Sequence, residues 1–213
     1  MDTLFVSFDD VRLLEALNRS EVIAFPTETV YGLGVRYDSS KAFDKLVEVK
    51  KRPPLKPFTL MGGDIFNILD YAYLNKAQLK LFKHFSPGTV TFLVRPKETP
   101  PKHVTLGLDT LGVRISVDKK LREFITRVGV PLLVPSANKS SCPPLDNSKD
   151  VYEVFKGEIP YIVDDICSKG LPSTIVDISK DDIRLVRQGD ISFETIKEYY
   201  KDFKGKKPEQ FAY

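Results

Sequence analysis

Short apolar runs alternate with stretches of helical periodicity along almost all of the 213 residues. Asp9 or Asp10 can cap a helix in which Val11, Leu14 and Leu17 share one face. An extended run at 22–25 follows, and a shorter extended piece covers 30–35. Ser39 or Ser40 opens a second helix with Phe43, Leu46 and Val47 inward. It ends before Pro53, because proline disfavours helical backbone in the residue ahead of it. Residues 58–61 read as a short strand, and Ile65, Ile68 and Leu69 mark a short helix. Asn75 and Gln78 have capping-box spacing for a helix through Phe85, Ser86-Pro-Gly88 stops it, and 89–94 predicts a strong strand. Extended runs recur at 112–117, 131–134, 161–163, 174–178 and 183–186. Helices are expected near 119–128 and 151–155, with a last one from about 192 to 203.

This alternation predicts one α/β domain over 1–203 and a polar C-terminal tail over 204–213. Short links such as 179–182 suit a hairpin, which favours a mixed sheet over a purely parallel one. Hydrophobic residues at 42% and charged residues at 29% are ordinary globular values. A net charge of +3 is too mild to mark a nucleic-acid binder by itself. The N-terminal residues lack the basic and apolar regions of a signal peptide, and no apolar run reaches the ~20 residues that span a bilayer, so the chain reads as cytoplasmic. Cys142 and Cys167 are too isolated for a disulfide framework or a zinc site.

Several familiar chemistries are unsupported. The chain has no Walker A sequence and no GxGxxG after a strand. His84 and His103 lie in no ligand spacing, nothing near Cys142 would activate it as a nucleophile, and no carboxylates form an evident acid/base pair. Cationic and hydroxyl-rich loops remain. Phe25-Pro-Thr-Glu-Thr-Val-Tyr-Gly-Leu-Gly34 runs from a strand into threonines and a Gly-x-Gly turn, which reads either as a tight turn or as a site for a small anion. Lys50-Lys-Arg-Pro-Pro-Leu-Lys56 places four positive charges at a helix end. They suit either a solvated helix terminus or, as a Lys-x-Arg group stiffened by proline, a polyphosphate. Arg114, inside an apolar strand, needs an anionic partner, whether an internal carboxylate or a ligand.

In order, the 25–34 string, Lys50-x-Arg52-Pro53, Pro87-Gly-Thr89, Val113-Arg-Ile115, Ser136-Ala-Asn138, Ser173-Thr-Ile175 and Arg187-x-Gly189 resemble the successive motifs of the YrdC-like family. The resemblance spans 22–189 and implies a twisted open mixed sheet with helices and a concave basic cleft. Some members carry a second C-terminal domain, and this chain is expected to end too early for one. The family's best-known members are threonylcarbamoyl-AMP synthases. They join L-threonine, bicarbonate and ATP, with magnesium, into an adenylate that downstream transferase machinery uses to modify tRNA. The resemblance places Lys50 and Arg52 as catalytic groups. It places Lys50, Arg52, Lys56, Thr110, Ser136, Asn138 and Arg187 near the nucleotide, Thr27, Thr29, Arg114 and Ser173 around threonine, and no metal ligand in the chain. Lys56 stands where synthases commonly carry asparagine, Met61 where they carry histidine, and Gln188 where they carry proline. The loop after Asn138 also departs, with Ser140-Ser141 and Pro143-Pro-Leu-Asp146. The Lys56-Pro-Phe-Thr-Leu-Met61 wording resembles a YciO-like paralogous branch, which implies an alternative: a cleft that binds nucleotide or RNA, double-stranded RNA included, without efficient use of threonine.

Overall fold

Alternation along the strands sorts the apolar side chains onto two sides of one mixed sheet. The computed structural model describes residues 2–52, 57–98, 100–167 and 171–204. The first elements are β1 (Leu4–Val6), α1 (Val11–Asn18), β2 (Ile23–Phe25), β3 (Gly32–Arg36), α2 (Ser40–Lys50) and β4 (Leu60–Gly62). Next come α3 (Ile65–Leu69), β5 (Ala72–Tyr73), α4 (Lys76–His84), β6 (Val90–Pro96), α5 (Lys102–Thr105), β7 (Leu111–Ile115) and α6 (Lys119–Val128). The last are β8 (Leu132–Leu133), α7 (Ser148–Phe155), β9 (Tyr161–Val163), β10 (Thr174–Asp177), β11 (Arg184–Arg187) and α8 (Phe193–Lys204). The strands lie in the order β1-β9-β2-β3-β8-β4-β7-β6-β10-β11, with β5 paired to β6. Parallel pairs such as β4–β7 and β6–β10 stand beside antiparallel ones such as β2–β3 and β10–β11. The expected hairpin at 179–182 forms the last of these.

On one side of the sheet, Ile23, Phe25, Met61, Leu132 and Val134 pack under α1 and α6. The other side is larger: Ala24, Leu60, Val113, Phe92 and Val176 pack with residues of α2, α4, α7 and α8. Among the described residues, β7, β6, β10 and β11 contribute nothing to the first cluster. Their out-of-phase side chains point away from the larger cluster, because strand neighbours point to opposite faces, and Thr91, Arg114, Ile175 and Arg187 among them line a cleft. Register aligns them: Met61 is opposite Arg114, Thr91 opposite Ile175, and Ile175 opposite Arg187. Met61, Arg114, Thr91, Ile175 and Arg187 thus lie along one strip of the sheet.

The helix starts follow the chain's capping signals. Asp10, Ser39 and Asp118 accept from backbone N–H groups of α1, α2 and α6, and Asn75 with Gln78 forms the capping box of α4. The inward face of α1 differs from expectation: Leu13, Ala16 and Leu17 are buried, whereas Val11 is exposed. Both stripes share Leu17, and the one containing the small Ala16 lets the helix sit close to the sheet. In α2, Val49 is buried and Val47 only partly so. β1, β5 and α5 were not expected; pieces of two to four residues are too short to show a period. Of the expected 204–213 tail, Lys204 still belongs to α8 and residues 205–213 lie outside the described residues.

Candidate active site

The 26–31 segment links β2 to β3, which pairs back on it with Phe25 opposite Gly32. Thr27 Oγ1 donates to Val30 O at 2.7 Å and accepts from Thr29 N at 3.1 Å, so the threonine's own hydroxyl fixes the turn. Ala137 N donates to Tyr31 O at 2.6 Å and Leu33 N to Pro135 O at 3.0 Å, closing the 134–138 loop onto this turn. A Cβ on Gly32 would sit 2.6 Å from Val134 Cγ1, so the approach needs glycine.

Across the strip, Arg114 is buried. Its Nη2 donates to Glu28 Oε1 and, at 3.2 Å, to Thr29 Oγ1, while Nε donates to Gly88 O at 3.3 Å. The anionic partner needed by this arginine is thus an internal carboxylate. Arg187 donates to Ser173 O from Nε and Nη2, at 3.2 and 2.9 Å, and Ser173 Oγ lies 2.9 Å from Thr91 Oγ1. Burial and the nearby Arg114 charge hold Arg187 below the usual arginine range. A Cβ on Gly189 would meet Pro172 O at 2.3 Å, which is how the 187–189 turn closes on the start of β10. At the opposite rim, the Arg52 guanidinium lies 4.9 Å from the centre of the Phe58 ring.

These elements enclose a cleft of about 230 Å³. Thr27, Thr29, Arg114 and Ser173 line it, as do Arg52, Ser136 and Arg187. Met61, Phe58 and Ile175 supply apolar wall, and the described lining residues include three arginines and no carboxylate. Lys50 and Asn138 stand behind the wall rather than in it: Lys50 Nζ donates to Ser136 O at 2.6 Å, Asn138 O at 2.9 Å and Asn138 Oδ1 at 3.0 Å. Thr110 is not brought to the cleft. It lines a separate depression with Arg95, Asp177 and Arg184, just ahead of β7 and four residues, or roughly 13 Å of extended chain, before Arg114. Lys56 lies outside the described residues. Among the described residues, no three His, Cys, Asp or Glu side chains are grouped to hold a metal ion.

The Sua5/YciO/YrdC family, described as telomere recombination, matches residues 15–189. The chain belongs to this family. A protein of Photorhabdus laumondii named threonylcarbamoyl-AMP synthase is 34% identical over 180 residues, covering 83% of this chain and 94% of that protein. A Bacillus subtilis protein of the same name is 34% identical over 198 residues, covering 90% of this chain but only 57% of its own length. The structure of P. abyssi Sua5 complexed with L-threonine superposes with a TM-score of 0.85 at 28% identity, over 93% of this chain and 60% of that one. The chain thus spans nearly all of one relative and little more than half of the other two.

Within this Sua5/YciO/YrdC fold, sequence reasoning missed Glu28, Phe58 and Thr91. Alternation with Phe92 could have found Thr91, and proximity to Arg52 could have found Phe58. The histidines are engaged elsewhere: His103 Nε2 lies 2.7 Å from Tyr37 O, and His84 stacks on Tyr199 with centroids 3.8 Å apart. Burial pushes the Cys167 thiol up to about 11, away from nucleophilic use.

Lys50 carries a prediction of its own. Burial first, then the charges of Arg52 and Lys139, push its amine down from 10.5 to about 8. Between those values the unfolded chain holds a proton that the folded chain has released, so stability rises with pH there. Wild type should gain about 2 kcal/mol on Lys50→Met between pH 7 and 9.5, read from urea unfolding. A pH-independent difference would show that Lys50 stays charged in the fold.

Proposed function

We propose that this cleft makes L-threonylcarbamoyladenylate and pyrophosphate from L-threonine, bicarbonate and ATP, as a nucleotidyltransferase of the cytoplasm serving threonylcarbamoyladenosine modification of tRNA. The observation that carries the reading is the cleft lining: three arginines and short hydroxyls with no opposing carboxylate. Such a surface recognises a carboxylate and a polyphosphate together. In the reaction, threonine's amine displaces water from bicarbonate to give a carbamate, and a carbamate oxygen attacks the α-phosphorus as pyrophosphate leaves. The carbamate is already anionic, so no protein nucleophile is needed, in keeping with a cleft whose described lining holds no histidine or cysteine. Positioning and neutralisation of phosphate charge do the catalysis.

In this reading Arg114, Thr27, Thr29 and Ser173 address threonine, while Arg52, Ser136 and Arg187 address the nucleotide. Lys50 works through the Ser136–Asn138 backbone it holds. Lys139 Nζ donates to Val49 O at 2.8 Å and Ser140 N to Lys50 O at 2.9 Å, so the same loop also caps the last carbonyls of α2. Asn138 Oδ1 is taken by Lys50 and by Ser136 Oγ at 2.6 Å. Magnesium would then be carried by the triphosphate's own oxygens, neutralising charge there.

One observation favours a second reading. Met61 stands in the cleft opposite Arg114, where a thioether offers only a weak acceptor, as in a YciO-like paralog that binds nucleotide or RNA. A single experiment separates the two. Purified protein with ATP, magnesium, bicarbonate and L-threonine should release pyrophosphate, and omission of any one should abolish release. Threonine-independent turnover, or none from folded protein, would favour the paralog.

A further inference from the structure

The carboxylate behind Arg114 is a buried charged group beside the cleft that the proposed chemistry leaves unused. Glu28 lies between two residues of the cleft wall, Thr27 and Thr29, yet does not line the cleft itself and is only 3% exposed. Its two oxygens are divided between Arg114 of β7 and Ser116, which directly follows that strand, both buried. Oε1 accepts from Arg114 Nη2, and Oε2 accepts from Ser116 Oγ. Arg114 and Ser116 are two residues apart and both reach the same carboxylate. Ser116 Oγ in turn accepts from Asp118 N at 3.1 Å, and Asp118 Oδ1 accepts from Leu121 N at 3.2 Å at the start of α6. The carboxylate is therefore anchored through a hydrogen-bond chain to a helix terminus. Gly88 O and Thr29 Oγ1 complete the set around Arg114, and among the described residues no protein acceptor is placed on its Nη1.

We propose that Glu28 is a positioning residue: it holds the Arg114 guanidinium from behind, so that the face left open in the cleft meets the carboxylate of the amino-acid substrate in one orientation. This rests on the reading of Arg114 as the amino-acid group. Arginine recognises a carboxylate as a planar fork, so a tilt of the plane costs affinity even when the charge remains. Glu28 acts on the amino acid alone, because the nucleotide arginines take their contacts elsewhere: Arg187 from Ser173, and Arg52 against Phe58.

Glu28→Gln keeps an acceptor for Arg114 but loses the charge-assisted clamp, and Ser116→Ala removes only the anchor. Glu28→Gln should raise the KM for threonine at least ten-fold with the KM for ATP within two-fold; Ser116→Ala should do the same more weakly, and Glu28→Asp should lie between Gln and wild type. A threonine KM within two-fold of wild type, or equal movement of both KM values, overturns the proposal. NMR of the Arg114 side chain, assigned by loss of its signals in Arg114→Lys, tests the clamp without any substrate. Its Nη signals should be separate in wild type and averaged by rotation in Glu28→Gln and Ser116→Ala. Averaged signals in wild type would sink the clamp, whereas separate signals in a protein that does not use threonine would sink only the reading of the substrate.

Discussion

Arg52→Ala should lower kcat/KM for ATP by ~10²–10³, the scale seen when one preorganised donor to a developing charge is removed. The residue follows α2, with its N–H donating to Val47 O at 3.1 Å and its guanidinium over Phe58. Burial holds it below the usual arginine range, so part of its hydration is already given up before ligand arrives. An anion placed against it regains that interaction in a partly water-excluded site. The fold should barely notice the change. The contact over Phe58 is of a kind worth about 0.5–1 kcal/mol, which shifts Tm by only about 1–4 °C in a domain of this size. Arg52→Lys keeps a point charge but not the fork, so its rate should fall between the two. Steady-state kinetics alongside thermal unfolding make the check. Activity within a few-fold of wild type would make Arg52 a solvated helix-end charge.

Much of the architecture was legible before the structure because its signals are local. Caps at Asp10, Ser39 and Asn75, a strand at 161–163 and the hairpin around 179–182 each follow from residues within one turn or one link. The cleft's hydroxyls were legible for a related reason: Thr27, Thr29, Ser136 and Ser173 sit in breaks beside strands, where polar residues interrupt apolar runs. What stayed hidden depends on pairing across the chain. Glu28 reads as one polar letter in a turn until β7, 86 residues on, brings Arg114 against it. Lys50 and Arg52 look equivalent in a basic run, yet the end of α2 turns Lys50 into the 136–138 backbone and Arg52 into the cleft. Thr110 directly precedes the strand that carries Arg114, but distance along the chain separates them, and only the register of β7 with its neighbours shows which end meets the cleft.

Arg114→Ala should have the largest combined effect, on stability and on threonine at once. In the fold, the substitution strands a 3%-exposed carboxylate at Glu28 with Ser116 Oγ as its remaining side-chain partner. Breaking a buried pair from one side costs about 3–5 kcal/mol, because the charge left behind stays desolvated. For a domain of this length that is a fall in Tm of roughly 10 °C. Removing both partners is gentler, since no uncompensated charge remains: Arg114→Met with Glu28→Leu should recover most of the lost stability, and the double-mutant cycle measures the coupling. Neither variant should recover threonine binding. A charged hydrogen bond contributes about 1.5–3 kcal/mol, so losing a two-pronged contact should weaken threonine by ~10²-fold or more while ATP binding changes little. Calorimetry with each ligand separates the two roles. Threonine that binds the stability-rescued double variant as tightly as wild type would leave Arg114 a structural ion pair, and the amino-acid pocket would lie in another part of the cleft.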